Sequence, residues 1–179
     1  MFTLDQTVLT IIDVQGKLAQ LMHAREALFL NLQRLVTGAQ VLKLPILWTE
    51  QNPAKMGPTI PELGALLSGI TPINKMAFGC GGEPAFMRAL EATGRRQVLL
   101  AGIECHVCVF QTAAQLVERQ YAVQVVADAV SSRSEANYHI GLERLQRAGA
   151  EVTCVESALF ELMQTADHPA FRQVLQAVK

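Results

Sequence analysis

At 179 residues the chain fits one domain, since single domains usually span roughly 100 to 200 residues. Half of its residues are hydrophobic, 17% are charged and the mean hydropathy is +0.23, which excludes a disordered chain because enough apolar surface is available to offset chain entropy. Fifteen Lys and Arg against sixteen Asp and Glu leave a formal net charge of -1, no electrostatic footprint for a nucleic-acid backbone or an anionic bilayer.

Nothing approaches the ~18 uninterrupted apolar residues of a membrane span, and Asp5 and Asp13 break the first apolar run where a secretory leader would be continuous. The expectation is a soluble, untargeted, cytoplasmic protein with one domain over 1–179. Cys80, Cys105, Cys108 and Cys154 are too few for a disulfide scaffold in a chain this long, so they are expected as reduced thiols.

In chain order, strands are expected at Val8 to Asp13, Pro45 to Thr49, Thr71 to Lys75, Gln97 to Ile103, Ala122 to Ala127 and Ala150 to Val155, each a short run with few charges. Between the first two, apolar residues from Leu18 to Leu42 recur every three or four positions, the pattern of an amphipathic helix with room for one break. Pro61 and Pro84 open short helices that end near Gly69 and Gly94, and Cys108 to Gln120 and Ser134 to Gly149 supply two more. Asp167 to Lys179 reads as a terminal helix with Phe171, Val174, Leu175 and Val178 on one face, for its own domain or another subunit. The alternation predicts an α/β fold: a three-layer domain whose doubly wound, six-stranded parallel sheet has order 3-2-1-4-5-6.

That order puts strands 1 and 4 side by side where the winding reverses, so polar residues at the carboxyl ends of strands 1, 3 and 4 should share a crevice. They are Asp13, Lys75 and the segment Glu104 to Cys108. A lone Asp there is equally compatible with a helix cap, a lone Lys with a solvated surface, and a lone Cys with a buried inert thiol. Strand 3 lies about 10 Å from strand 1, a gap a lysine side chain can largely bridge. Cys108 sits near a helix start, where free N–H groups favour a thiolate. Between an ordinary thiol of pKa about 8.5 and an Asp of about 3.9, proton transfer is uphill by about 6 kcal/mol, so Asp13 needs help from its surroundings.

Cys105 and Cys108 also form a C-x-x-C, which admits a dithiol redox reading. A zinc site has no second C-x-x-C or paired His to complete it. His106 lies two residues from Cys108, a spacing that does not bring side chains face to face on a helix. Gln15, Trp48, Gln51, Phe78 and His106 follow or end strands on the site side and are candidate pocket walls.

With Asp13, Lys75 and Cys108, with Gly102-Ile103-Glu104 ending four residues before the thiol, and with Gln111-Thr112-Ala113 after it, the chain resembles the isochorismatase-like hydrolase superfamily. Thr49-Glu50-Gln51-Asn52-Pro53, Gly57-Pro58-Thr59, Pro61-Glu62-Leu63-Gly64 and His168-Pro169-Ala170-Phe171 are similar to its isochorismatase-domain-containing branch. The resemblance spans essentially the whole chain and implies an Asp, Lys, Cys triad at Asp13, Lys75 and Cys108. It further implies a cis peptide at Ile103-Glu104 that aims the N–H groups of Glu104 and Cys108 at an oxyanion. Nicotinamidases of the superfamily bind a divalent metal through an Asp and several His after strand 2. Here that stretch reads Trp48-Thr49-Glu50-Gln51-Asn52-Pro53, with no His, so no metal and no cofactor are expected. Isochorismatases proper lack the nucleophilic cysteine and cleave an enol ether, so Cys108 points instead to acyl transfer on a small amide or related carbonyl compound through a thioester. A homo-oligomer is expected, as the superfamily commonly assembles. Two other classes stay open: a non-catalytic oligomeric interaction protein and the Cys105/Cys108 dithiol protein.

Overall fold

Strand β1 (Thr7–Ile12) is buried along its whole length, and its pleat sends Val8 and Ile12 to one face of the sheet and Leu9 and Ile11 to the other. A strand with apolar residues on both faces needs cover on both. In the computed structural model, which describes residues 1–179, α2 (Arg25–Val41), α8 (Val155–Met163) and α9 (Phe171–Val178) cover the Leu9 face. The Ile12 face is covered by α5 (Pro84–Ala92), α6 (Phe110–Glu118) and α7 (Glu135–Arg147).

The other strands are β2 (Ile46–Gln51), β3 (Ile73–Lys75), β4 (Gln97–Ile103), β5 (Ala122–Ser131) and β6 (Glu151–Thr153). They form one six-stranded sheet in the order β3-β2-β1-β4-β5-β6, with every neighbour pair parallel. This is the doubly wound arrangement expected from the sequence, with the reversal between β1 and β4.

The expected long helix is broken once, into α1 (Gly16–Gln20) and α2. Two short helices, α3 (Pro53–Met56) and α4 (Pro61–Gly64), occupy the connection from β2 to β3, the second shorter than its sequence suggests. The structure adds α8, whose run VESALFELM continues directly from β6. Its buried residues Val155, Ala158, Leu159, Leu162 and Met163 recur at helical spacing, and Val155, expected as the end of the last strand, opens the helix instead. The terminal helix packs on its own chain: Val174 is fully buried, Phe160 of α8 stacks on Phe171 at 6.2 Å, and Arg34 of α2 donates to the Lys179 carbonyl at 2.6 Å. No helix is long and apolar enough to cross a membrane.

One glycine shapes the end of β4. Gly102 pairs with Ile12 of β1 and has φ +118, while the β5 register shifts between Leu100 and Gly102. A Cβ placed there would lie 2.1 Å from the Ile12 carbonyl oxygen, with no flexible side chain to yield. Gly102→Ala is expected to destabilise the fold by about 3 kcal/mol or more in urea unfolding, combining a disfavoured backbone conformation with a forced shift of β1 from β4.

Candidate functional site

Three strand ends converge where the winding reverses. Asp13 follows β1 directly at φ +51, a left-handed conformation that aspartate enters more readily than most residues. Its N–H donates to the Thr49 carbonyl at 3.2 Å, and its Oδ1 accepts from the Thr49 hydroxyl at 2.7 Å. Lys75 closes β3, and its side chain passes behind β2 to place Nζ 2.6 Å from Asp13 Oδ2. The three ammonium hydrogens serve Gln51 Oε1 at 2.7 Å, the Phe78 carbonyl at 2.9 Å and the Ala77 carbonyl at 3.1 Å. Oδ2 faces the ammonium as the near half of an ion pair and is shut off from solvent. Both charged side chains are buried.

The thiol that shares a cavity with Asp13 is Cys108. The residue lies in a wide turn, Cys105–Val109, in which the Val109 N–H reaches back five residues to the Glu104 carbonyl at 3.2 Å. The turn leads straight into α6 and is held from two sides. Thr112 donates its hydroxyl to the Cys108 carbonyl at 2.7 Å and accepts the Cys80 N–H at 2.9 Å. Helix α7 comes so close that a Cβ on Gly141 would lie 2.7 Å from Cys105 Sγ and 2.8 Å from the His106 nitrogen. The peptide Ile103-Glu104 entering the turn is cis.

Burial, reinforced by the Asp13 carboxylate and by the thiol's hydrogen bond to it, pushes the Cys108 thiol up to about 12, against the opposing pull of the Lys75 ammonium. The helix start alone favours a thiolate; here desolvation and the neighbouring carboxylate win, and the resting sulfur carries its proton. Cys80, fully buried, is pushed up to about 11 by burial first.

Asp13 and Cys108 open into a cavity of about 140 Å³ whose polar wall also holds Gln15, Gln51 and Glu104. Leu18, Met56, Phe78, Ile103 and Val107 form its apolar wall. Of the pocket residues expected from sequence, Gln15, Gln51 and Phe78 line the cavity, whereas Trp48 and His106 do not. Trp48 points to the opposite face of β2, packed in the α2 side of the core, with its indole N–H on the Ile70 carbonyl at 3.1 Å. His106 is turned toward β5, with Nδ1 2.9 Å from the Ser132 hydroxyl. Sequence reasoning missed Thr49, which is indistinguishable from any strand threonine until the register sets it beside Asp13. It also missed Leu18 and Met56, which read as core and loop.

Gln15 is completely buried and spends its amide on backbone, donating to the Gly57 carbonyl at 2.7 Å and the Gln51 carbonyl at 3.1 Å while accepting the Gln51 N–H at 2.6 Å. It fastens the α3 loop over the site. Glu50, next in line on β2, accepts both the Thr59 N–H at 2.7 Å and the Thr59 hydroxyl at 2.8 Å. No group of three or more His, Cys, Asp or Glu side chains is arranged to hold a metal ion. A larger hollow of about 220 Å³ between α2 and the end of β5 has no thiol in its wall.

The isochorismatase domain family matches residues 7–157. Isochorismatase domain-containing protein 2 of Bos taurus is 36% identical over 174 residues, covering 97% of this chain and 83% of that protein. The Danio rerio protein of the same description is 37% identical over 169 residues, 94% of this chain and 84% of that one. Among solved structures, one described as MAR1 ribonuclease from Caenorhabditis elegans superposes with a TM-score of 0.92 at 35% identity, covering 99% of this chain and 91% of the other. The Escherichia coli YcaC gene product, described as an octameric hydrolase of unknown specificity, shares the fold with a TM-score of 0.91 at 24% identity, over 98% of this chain and 89% of that one.

A thiol with a pKa of about 12 ionises only marginally at neutral pH, so alkylation of Cys108 by iodoacetamide, followed by peptide mass spectrometry, should accelerate about tenfold per pH unit between 7 and 10. A plateau below pH 9 would contradict the assigned ionisation.

Proposed function

The chain belongs to the isochorismatase family, and from that premise and the site we propose that it is a metal-independent cysteine hydrolase that cleaves the C–N bond of a small amide or a related carbonyl compound. The observation that carries this reading is a buried thiol, Cys108, lining one mostly apolar cavity with the carboxylate of a buried ion pair, Asp13 with Lys75.

Asp13 takes the thiol proton as Cys108 sulfur attacks the carbonyl carbon, and the carbonyl pair moves onto oxygen, where the backbone N–H groups of Glu104 and Cys108 receive it. Collapse of the adduct expels the amine, which takes the proton from Asp13 and leaves a thioester. Water, deprotonated by the same carboxylate, then attacks the thioester and returns the thiol. Lys75 holds Asp13 in place and stabilises negative charge as it passes between oxygen and sulfur. The cavity fits a small-molecule substrate, and the four free cysteines fit a reducing, cytoplasmic setting. Homo-oligomeric assembly is part of the proposal, in keeping with the octamer described for the YcaC gene product.

The relative described as a ribonuclease brings RNA hydrolysis as a second reading. The cavity wall offers no arginine, lysine or histidine for a phosphate, and the net charge of -1 gives a polyanion no general attraction. Amide hydrolysis therefore stands first. The dithiol alternative is disfavoured by direction: Cys105 Sγ faces the Tyr138 carbonyl at 3.7 Å on α7, while Cys108 lines the Asp13 cavity, which Cys105 does not.

Ammonia or amine release from a panel of small amides, ureides and carbamates is expected for the wild type and absent for Cys108→Ala. Asp13→Ala and Lys75→Ala should each lose at least about 100-fold in kcat. Full turnover by Cys108→Ala would falsify the nucleophile assignment, and cleavage of a fluorogenic RNA by the wild type but not by Cys108→Ala would move the second reading to first place.

A further inference from the structure

The charge inventory of the cavity is one-sided. Asp13, Glu104 and Cys108 are its ionisable lining residues, with no cationic residue among the ten. The Lys75 ammonium, the one cation in contact with the site, is enclosed, with its hydrogens directed at Gln51, Ala77 and Phe78 and its charge set against Asp13. Arg133 reaches Glu104 from the solvent side, with Nε 3.0 Å from Oε1, and lies outside the walls. Lys17 and Lys55, the sequence neighbours of Leu18 and Met56, are exposed and also outside them.

A carboxylate brought into this space would lose its water and gain no free cation, because Lys75 and Arg133 are already paired with Asp13 and Glu104. An uncharged apolar group would instead meet Leu18, Met56, Phe78, Ile103 and Val107. We infer that the site selects uncharged carboxamides with an apolar acyl group and shuts out amides whose acyl group carries a carboxylate.

This inference rests on the hydrolase reading for its chemistry, but selection can be measured without turnover. Iodoacetamide and iodoacetate are a neutral and an anionic probe of almost the same shape, and both alkylate a thiolate by displacing iodide. The rate ratio of the two at Cys108, divided by their ratio at glutathione, should be about 100 or more. In parallel, 4-methylpentanamide should protect Cys108 from iodoacetamide while succinamate, in which a carboxylate replaces the isopropyl group, should not.

A normalised ratio within about threefold of unity, equal protection by succinamate, or no protection by 4-methylpentanamide at about 0.1 M would each overturn the inference. Ammonia release from 4-methylpentanamide, scored separately, reports on the hydrolase reading. Selective protection without ammonia sustains the binding preference and removes the reaction, whereas ammonia from both amides at similar rates sustains the reaction and removes the preference.

Discussion

An ammonium and a carboxylate held together out of water, Lys75 Nζ and Asp13 Oδ2 at 2.6 Å, set the terms for everything around them. Removing two such charges from solvent costs several kcal/mol per ion, and mutual attraction offsets this only when the remaining hydrogen-bonding capacity is met. Strand β2, which lies between the two, meets it. Thr49 and Gln51 are two positions apart and so share one face of β2; the first donates to Asp13 and the second accepts from Lys75. Carbonyls of Ala77 and Phe78 complete the lysine's partners, which binds the turn after β3 to the pair. Had β3 ended a residue earlier or later, the pleat would have sent the lysine to the other face of the sheet.

The same pair governs where the proton rests. Asp13 raises the neighbouring thiol and Lys75 lowers it, while burial exceeds both and carries Cys108 up to about 12. Cys108 is therefore kept as a neutral thiol beside the ion pair. In the proposed hydrolysis, charge separation coincides with bond formation to a carbonyl, when negative charge leaves sulfur for an oxygen that backbone donors can solvate. A resting thiolate in this cavity would be the more reactive toward any stray electrophile. A protonated one confers selectivity at the expense of intrinsic rate.

How far the sequence reveals this arrangement depends on the range of the information. Strand order is legible because each strand is a short apolar run and each crossover has a helical pattern, and from that order alone Asp13, Lys75 and the Cys108 segment fall at neighbouring strand ends. Side-chain direction is less accessible. Trp48 precedes Thr49 on β2 and so takes the other face, into the core. His106 is carried away from the cavity by the five-residue turn, a geometry that ordinary helical spacing does not anticipate. Helix α8 follows β6 after a single residue, with no Gly or Pro between them to mark the change from strand to helix. The importance of Thr49 and the wall roles of Leu18 and Met56 have no local sequence mark at all, being products of register and loop docking.

The Asp13–Lys75 pair and most of the apolar wall come from different parts of the fold. Asp13 and Lys75 adjoin strand ends whose positions are set by the sheet, with a core on each face. The apolar wall is drawn from separate connections: Leu18 from the helix after β1, Met56 from the loop after β2, Phe78 from the turn after β3, and Val107 from the turn after β4. Each is anchored by backbone rather than by the reactive side chains, as when Gln15 ties the Gly57 loop to β2. Phe78 is 57% exposed, so its ring can be exchanged at little cost to the core even though its carbonyl holds Lys75. Changing a wall side chain alters what the cavity accepts while the ion pair and the thiol keep their geometry. The sheet thus sets the ion pair, while the connections after the strands set most of the apolar wall.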